Sequence, residues 1–198
     1  MTNPYSEPLL KSSEKGDTEN VKFLISKGTE VNFADNNGST PLIYAAMNGF
    51  TDTARVLIDN GADVNIANKN GNTALMYACW NDHAGMVRLL LSRGADSNVK
   101  PKSGEPLLIF MCKRGNIEIV NLLIEYGADI NTKDSAGDTP LICACTNKYV
   151  GLANILINKN AELTVVNRQG KTALDIATEK GLIRIISSIQ QKKGTQKT

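Results

Sequence analysis

Apolar residues fall in blocks along this chain, and the blocks keep a fixed distance. Val56-Leu57-Ile58, Leu89-Leu90-Leu91, Leu122-Leu123-Ile124 and Ile155-Leu156-Ile157 stand 33 residues apart, with polar residues between them. Each block predicts the buried stripe of an amphipathic helix, held between its own partner helix and the neighbouring units. Ahead of it lies another apolar stretch, opened by Thr40-Pro41-Leu42, Thr73-Ala74-Leu75, Thr139-Pro140-Leu141 or Thr172-Ala173-Leu174. Threonine caps a helix start well, and proline at the first helical position wastes no backbone donor. A short helix is therefore predicted from each triplet. It ends near Gly49 in one unit and Gly115 in another, where a left-handed residue stops it. Asp82 and Lys148 take that place elsewhere, and aspartate tolerates positive φ better than lysine. Gly-Ala-Asp at 61–63, 94–96 and 127–129 ends the second helix. The chain is then expected to run extended through Val64-Asn65 or Ile130-Asn131 to tips rich in turn formers, such as 68–71 and 134–137.

Gly38, Gly71, Gly104, Gly137 and Gly170 keep the same step of 33 without an insertion, and Gly28, Gly61, Gly94 and Gly127 do likewise. One fixed period marks a stacked repeat architecture, a single quasi-linear array whatever its length. The combination of Gly-x-Thr-Pro-Leu, Ala-Ala, Gly, Leu-Leu or Leu-Ile, and Gly-Ala-Asp-Val-Asn resembles the ankyrin repeat, from about Tyr5 to Gln191 as six units. The resemblance implies an all-α solenoid of antiparallel helix pairs with short β-hairpin-like tips. The units are expected at 1–37, 38–70, 71–103, 104–136, 137–169 and 170–191, the first and last being caps, with a disordered polar tail at 192–198.

Departures from the pattern carry information. The fourth unit reads Gly104-Glu105-Pro106-Leu107-Leu108, without the capping threonine, and sets Met111 and Cys112 where alanines stand elsewhere, so bulkier local packing is expected. In the first unit Lys11, Ser12 and Ser13 replace the Tyr44-Ala45-Ala46 stretch, and in the last Gln190 replaces an apolar residue. Terminal repeats have one face without a neighbour, and polar residues there keep an array soluble. The array is accordingly expected to be complete at both ends and monomeric.

Composition narrows the chemistry. The chain is 41% hydrophobic with 5% aromatics, which suits an aliphatic core, and its net charge of +2 does not by itself imply nucleic acid or membrane. Four cysteines without an oxidising signature suit a reducing compartment. Cys79, Cys112 and Cys145 form one column. Stacked helices lie roughly 8–10 Å apart, beyond the about 7 Å between Cα atoms that a disulfide spans. The column is read as small core residues, with Cys143 facing another way than Cys145. The only histidine, His83, shares a column with Phe50, Asn116 and Tyr149 at a turn, and is read as turn-bonding or packing. No nucleophile dyad, phosphate-cradling loop or metal-ligand spacing accompanies it, so no enzyme, cofactor or metal is expected. Residues 1–8 lack a secretory pattern and no apolar run approaches the roughly 20 residues of a membrane span. A soluble, cytoplasmic protein is expected, with export lacking a cleavable signal left open.

Columns that vary between internal copies are not dictated by the fold, so they are open to recognition. These are the tips and the ends of the first helices, which in arrays resembling this one line a concave, protein-binding face. Nine basic residues (Lys69, Lys100, Lys102, Lys113, Arg114, Lys133, Arg168, Lys171 and Lys180) stand in them against Glu105, Asp138 and Glu179. Trp80, the only tryptophan, shares its column with Met47, Lys113, Thr146 and Glu179, and is expected to be at least half exposed. Tryptophan and arginine dominate interface hot spots. A patch of Met47, Trp80, Lys113 and Arg114, flanked by Lys69 and Lys102 and continued by Lys133 and Arg168, is expected to bind an acidic, partly apolar protein. Non-specific nucleic-acid binding is the alternative. Tyr44, Tyr77 and Phe110 form an aromatic column read as packing.

Overall fold

The computed structural model describes residues 4–102 and 104–195. Those residues form twelve helices in a chain that divides into two compact units, Met1–Lys102 and Ser103–Thr198. The first unit contains α1 (Ser6–Lys15), α2 (Thr18–Ser26), α3 (Pro41–Met47), α4 (Thr51–Asp59), α5 (Ala74–Trp80) and α6 (Ala84–Ser92). The second contains α7 (Leu107–Arg114), α8 (Ile117–Glu125), α9 (Pro140–Thr146), α10 (Val150–Asn158), α11 (Ala173–Glu179) and α12 (Ile183–Thr195). In the first unit α1, α3 and α5 pack side by side, and α2, α4 and α6 form a second layer against them. The second unit repeats the scheme, with α9 between α7 and α11, and α10 against α12. The helices are thus all-α pairs stacked as a repeat solenoid within each unit.

Caps set the helix starts. The Oγ1 atoms of Thr40, Thr73, Thr139 and Thr172 accept from the backbone N–H groups of Ile43, Met76, Ile142 and Asp175. The fourth repeat has Pro106 at that position and no side-chain cap. The tips close as hairpin-like turns: the N–H groups of Asp35, Asn68, Asp134 and Asn167 donate to the carbonyls of Ser39, Asn72, Asp138 and Lys171 at 2.9–3.1 Å. One Oδ1 of each of these four side chains also accepts two backbone N–H groups of its own turn. Pro101 stands in that column in the third tip and offers no such acceptor. Among the described residues only Ala67 and Thr73 form a β-bridge.

Asparagines staple one repeat to the next. Asn32 accepts from Asp63 N–H and donates to Gly61 O, and Asn65 does the same with Asp96 and Gly94. Val64 and Asn65, expected to be extended, lie in a turn. The turn presents the Asn65 amide to the next repeat, which an extended strand would not do.

A second stitch joins a glycine to an aromatic ring one repeat on. Gly16, Gly49 and Gly115 have φ of 71°, 74° and 73°, and a Cβ on them would meet the rings of Phe50, His83 and Tyr149 at 2.6, 2.8 and 2.9 Å. These positions need glycine for its conformation and for the space. His83 is therefore a packing residue, its Nε2 also 3.3 Å from the Met47 carbonyl. Asp82 and Lys148 adopt the left-handed conformation as expected, at φ 58° and 61°.

The core is aliphatic, with Leu57, Leu90, Leu123 and Leu156 at 0% exposure, and Met111 and the three column cysteines equally sealed. Cys143 is buried too, although it faces another way than Cys145. Burial pushes the thiols of Cys143 and Cys145 up to about 12, so they are inert at neutral pH. Two expectations need correction. Ser12 and Ser13 are buried: Ser12 Oγ accepts from Asn20 Nδ2 at 2.7 Å, while Ser13 Oγ has no partner, so of that trio only Lys11 presents a polar outer surface. The tail expected to be disordered from 192 is helical through Thr195, because Ile185 and Ile189 anchor α12 in the core and the helix simply continues. Residues 196–198 lie outside the described residues.

Candidate functional site

In the first unit the helix ends and tips bring four of the expected residues onto one side. Met47 ends α3 and Trp80 ends α5, and the two ends are tied by Asn81 Nδ2 donating to Met47 O at 2.9 Å. Neither side chain is half exposed; both are partly buried. For Trp80 this corrects the expectation. The indole lies edge-on against Tyr77, three residues back on the same helix face, with ring centroids 5.3 Å apart and planes at 81°. Tip stacking places Lys69 next to Lys102: Lys69 N–H donates to Asn37 O at 2.8 Å, and Lys102 Nζ donates to Lys69 O. Both lysines are exposed.

The tyrosines of the aromatic column also do more than pack. Tyr44 Oη donates to Asp35 Oδ2 at 2.8 Å, and Tyr77 Oη accepts from Asn68 Nδ2 at 3.0 Å, so each phenol ties its helix to its own tip. The bond to Asp35, helped by burial, raises the Tyr44 phenol to about 12. Burial alone would raise the Asp35 carboxyl; bonds from Tyr44, Ser39 and Asn37, with Lys69 nearby, outweigh it and hold the acid below its ordinary value.

In the second unit Lys113 and Arg114 end α7. Lys113 is not a spare cation. Its Nζ lies 2.5 Å from Glu105 and 2.8 Å from Asp134, and these carboxylates hold its ammonium well above the usual lysine value despite desolvation. Asp134 lowers the expected charge excess by one, while Glu105 and Glu179, already counted against it, are the partners of Lys113 and Lys171. Asp134 escaped the column comparison because it counts as a turn former; the recurrence of Asp35, Asn68, Asp134 and Asn167 was the available signal. Arg114 is exposed, with its guanidinium 5.8 Å from the Phe110 ring centre, and Lys133 and Arg168 are exposed on successive tips. Arg168 N–H donates to Ala136 O at 2.9 Å, which stacks those tips. Between them and α11 lies an open groove of about 490 Å³, lined among others by Thr146, Arg168, Ile176 and Lys180.

Asp134, Asp138 and Cys143 place potential ligand atoms within 4.8 Å of one another. Lys113 already fills the cation's role at Asp134, and Asp138 accepts from Asn167 Nδ2 at 2.7 Å, so the geometry supports no metal centre.

Asp134 offers a clean pH test. Burial would raise its carboxyl, but the Lys113 contact and the Asp138 and Ala136 N–H groups lower it below the ordinary value. A carboxyl lowered in the folded state stabilises above its unfolded pKa of about 3.9 and loses that contribution as pH falls through the folded value. Asp134→Asn keeps the turn acceptor, as Asn68 and Asn167 show, and removes only the ion pair. The variant is expected to be about 1 kcal/mol less stable near neutral pH, with half-exposed Lys113 screened by solvent. In urea denaturation repeated across pH, the gap should begin to close at about pH 4 and vanish as pH falls below the lowered folded value. A gap that persists in acid would mean the pair is not its source.

The sequence model of the family described as ankyrin repeats (3 copies) matches residues 9–101 and 102–198, and the chain belongs to that family. No curated protein matches it. Ankyrin repeats are in general protein–protein interaction modules and are typically not enzymes. No helix is long and apolar enough to cross a membrane, among the described residues.

Proposed function

We propose that this chain is a scaffold, inhibitor or adaptor that grips an acidic, partly apolar protein segment with the tips and first-helix ends of each unit. The observation that carries the reading is the groove in the second unit, where Arg168, Lys171 and Lys180 outnumber Asp138 and Glu179 around Thr146 and the edge of Ile176. Cations beside a small apolar surface suit a chain carrying carboxylates and a few apolar anchors. The first unit offers a related surface in partly open Met47 and Trp80 with Lys69 and Lys102 on the adjoining tips. Each surface is preformed by helix caps and turn bonds, so binding orders little of this chain and loses little entropy. Four buried thiols suit a reducing, cytoplasmic setting.

The test is affinity capture from the source cell, with wild type beside Trp80→Ala and Arg168→Ala, each checked for an unchanged melt. A protein held by wild type, resistant to nuclease and lost by at least one variant is the expected result. Loss of each hot-spot side chain should weaken binding about tenfold or more. Retention of every captured protein by both variants would reject the proposed surfaces. Loss of the captured material on nuclease treatment would point to nucleic acid.

A further inference from the structure

The first two positions of the second helix form two parallel columns. In the first unit they hold Thr18-Glu19, Thr51-Asp52 and Ala84-Gly85; in the second they hold Ile117-Glu118, Val150-Gly151 and Ile183-Arg184. The fold does not ask for apolar side chains here. Thr18 and Thr51 serve well, turning their hydroxyls to Gly16 O and Gly49 O. Yet the second unit sets three β-branched apolar residues in solvent: Ile117 is 40% and Ile183 75% exposed, and Val150 is partly exposed.

Gly151, like Gly85 in the first unit, leaves room for the side chain one repeat back: an added Cβ would meet Ile117 Cδ1 at 3.6 Å, as one on Gly85 would meet Thr51 Oγ1 at 4.0 Å. Glu118 and Arg184 flank the glycine, one repeat to either side, and neither has an ion-pair partner among the described residues.

We propose that this edge of the second unit docks a second copy of the chain, about a two-fold axis crossing at Val150 and Gly151. Such an axis reverses the order of repeats and keeps the columns in line. Ile117 then faces Ile183 of the other copy, and Glu118 faces Arg184. The charges at the two ends of the stripe are opposite, so this antiparallel match is self-complementary, as an isologous contact requires; the parallel match would set like charges together. This edge is distinct from the two ends of the array, so the monomer expected from the sequence is replaced by a weak dimer. The contact is smaller than a standard interface and of the weak, transient class; since area does not fix affinity, the test is set for a Kd on the order of 100 μM. The surface is separate from the tips and does not rest on the proposed function.

Sedimentation velocity on the full chain, at concentrations from about a tenth to about ten times that Kd, tests it. Wild type should pass from monomer to dimer across the range. Ile183→Glu, at an exposed position, should weaken association at least about tenfold with an unchanged melt, because it sets a carboxylate against Ile117. Glu118→Arg and Arg184→Glu should each weaken it, and the two together should restore it. A chain that stays monomeric throughout overturns the proposal. So does a dimer indifferent to Ile183→Glu, or a double charge reversal no better than either single one.

Discussion

Met111→Ala is expected to destabilise the protein by about 2–4 kcal/mol, although alanine fills the same column at 45, 78 and 144. Met111 is fully buried, as are Ile109 and Cys112 on the same helix. Its neighbours have settled around a thioether arm, and truncation leaves a cavity that a close-packed interior fills only in part. Ala144→Met, the reciprocal change in the same unit, should also destabilise, by about 1–3 kcal/mol, because that site is packed around a methyl group. Urea denaturation of the two variants decides the matter. A loss below about 1 kcal/mol for Met111→Ala would show that the helix can close down on alanine here as it does in other repeats.

Gly115→Ala should cost about 2–4 kcal/mol for two separable reasons. The left-handed conformation at φ 73° costs an L-residue roughly 1–2 kcal/mol. The added methyl also runs into the Tyr149 ring at 2.9 Å, so the ring must move. Gly181→Ala supplies the reference: its φ is 68° and nothing lies within 4 Å of the added carbon, so only the conformational cost of about 1 kcal/mol should appear. Tyr149→Leu placed on Gly115→Ala should recover the steric part. Lys148 and Leu182 already show, in the same unit, a side chain in this column accommodated without an aromatic residue 34 positions on. Thermal or urea melts of the four proteins give the comparison. Equal losses for Gly115→Ala and Gly181→Ala would remove the ring from the account.

The stacked helix pairs were legible because they depend on local chemistry repeated at one period. Thr40 caps its helix whatever lies beyond it, and Leu57 or Leu90 marks a buried face wherever the stack leads. The candidate recognition surface was harder to read. A column holds positions one repeat apart, so Lys113 and Glu179 say nothing of Tyr77, which lies against Trp80 and covers it. Lys113 looked like a free cation because its partners, Glu105 eight residues before and Asp134 twenty-one after, belong to other columns. Ser12 and Ser13 show a third limit: polarity does not by itself mean exposure, since Asn20 supplies a partner for Ser12 inside the packing.

The amino-acid order by itself determined the repeat, its caps, its aliphatic core and its family, since period, turn chemistry and hydrophobic faces all act within a few residues of one another. Packing decided which cations are spent on carboxylates, how far Trp80 is covered, and which apolar residues are left in solvent at Ile117 and Ile183. Those outcomes depend on distances between side chains far apart in the chain, and only folding sets them.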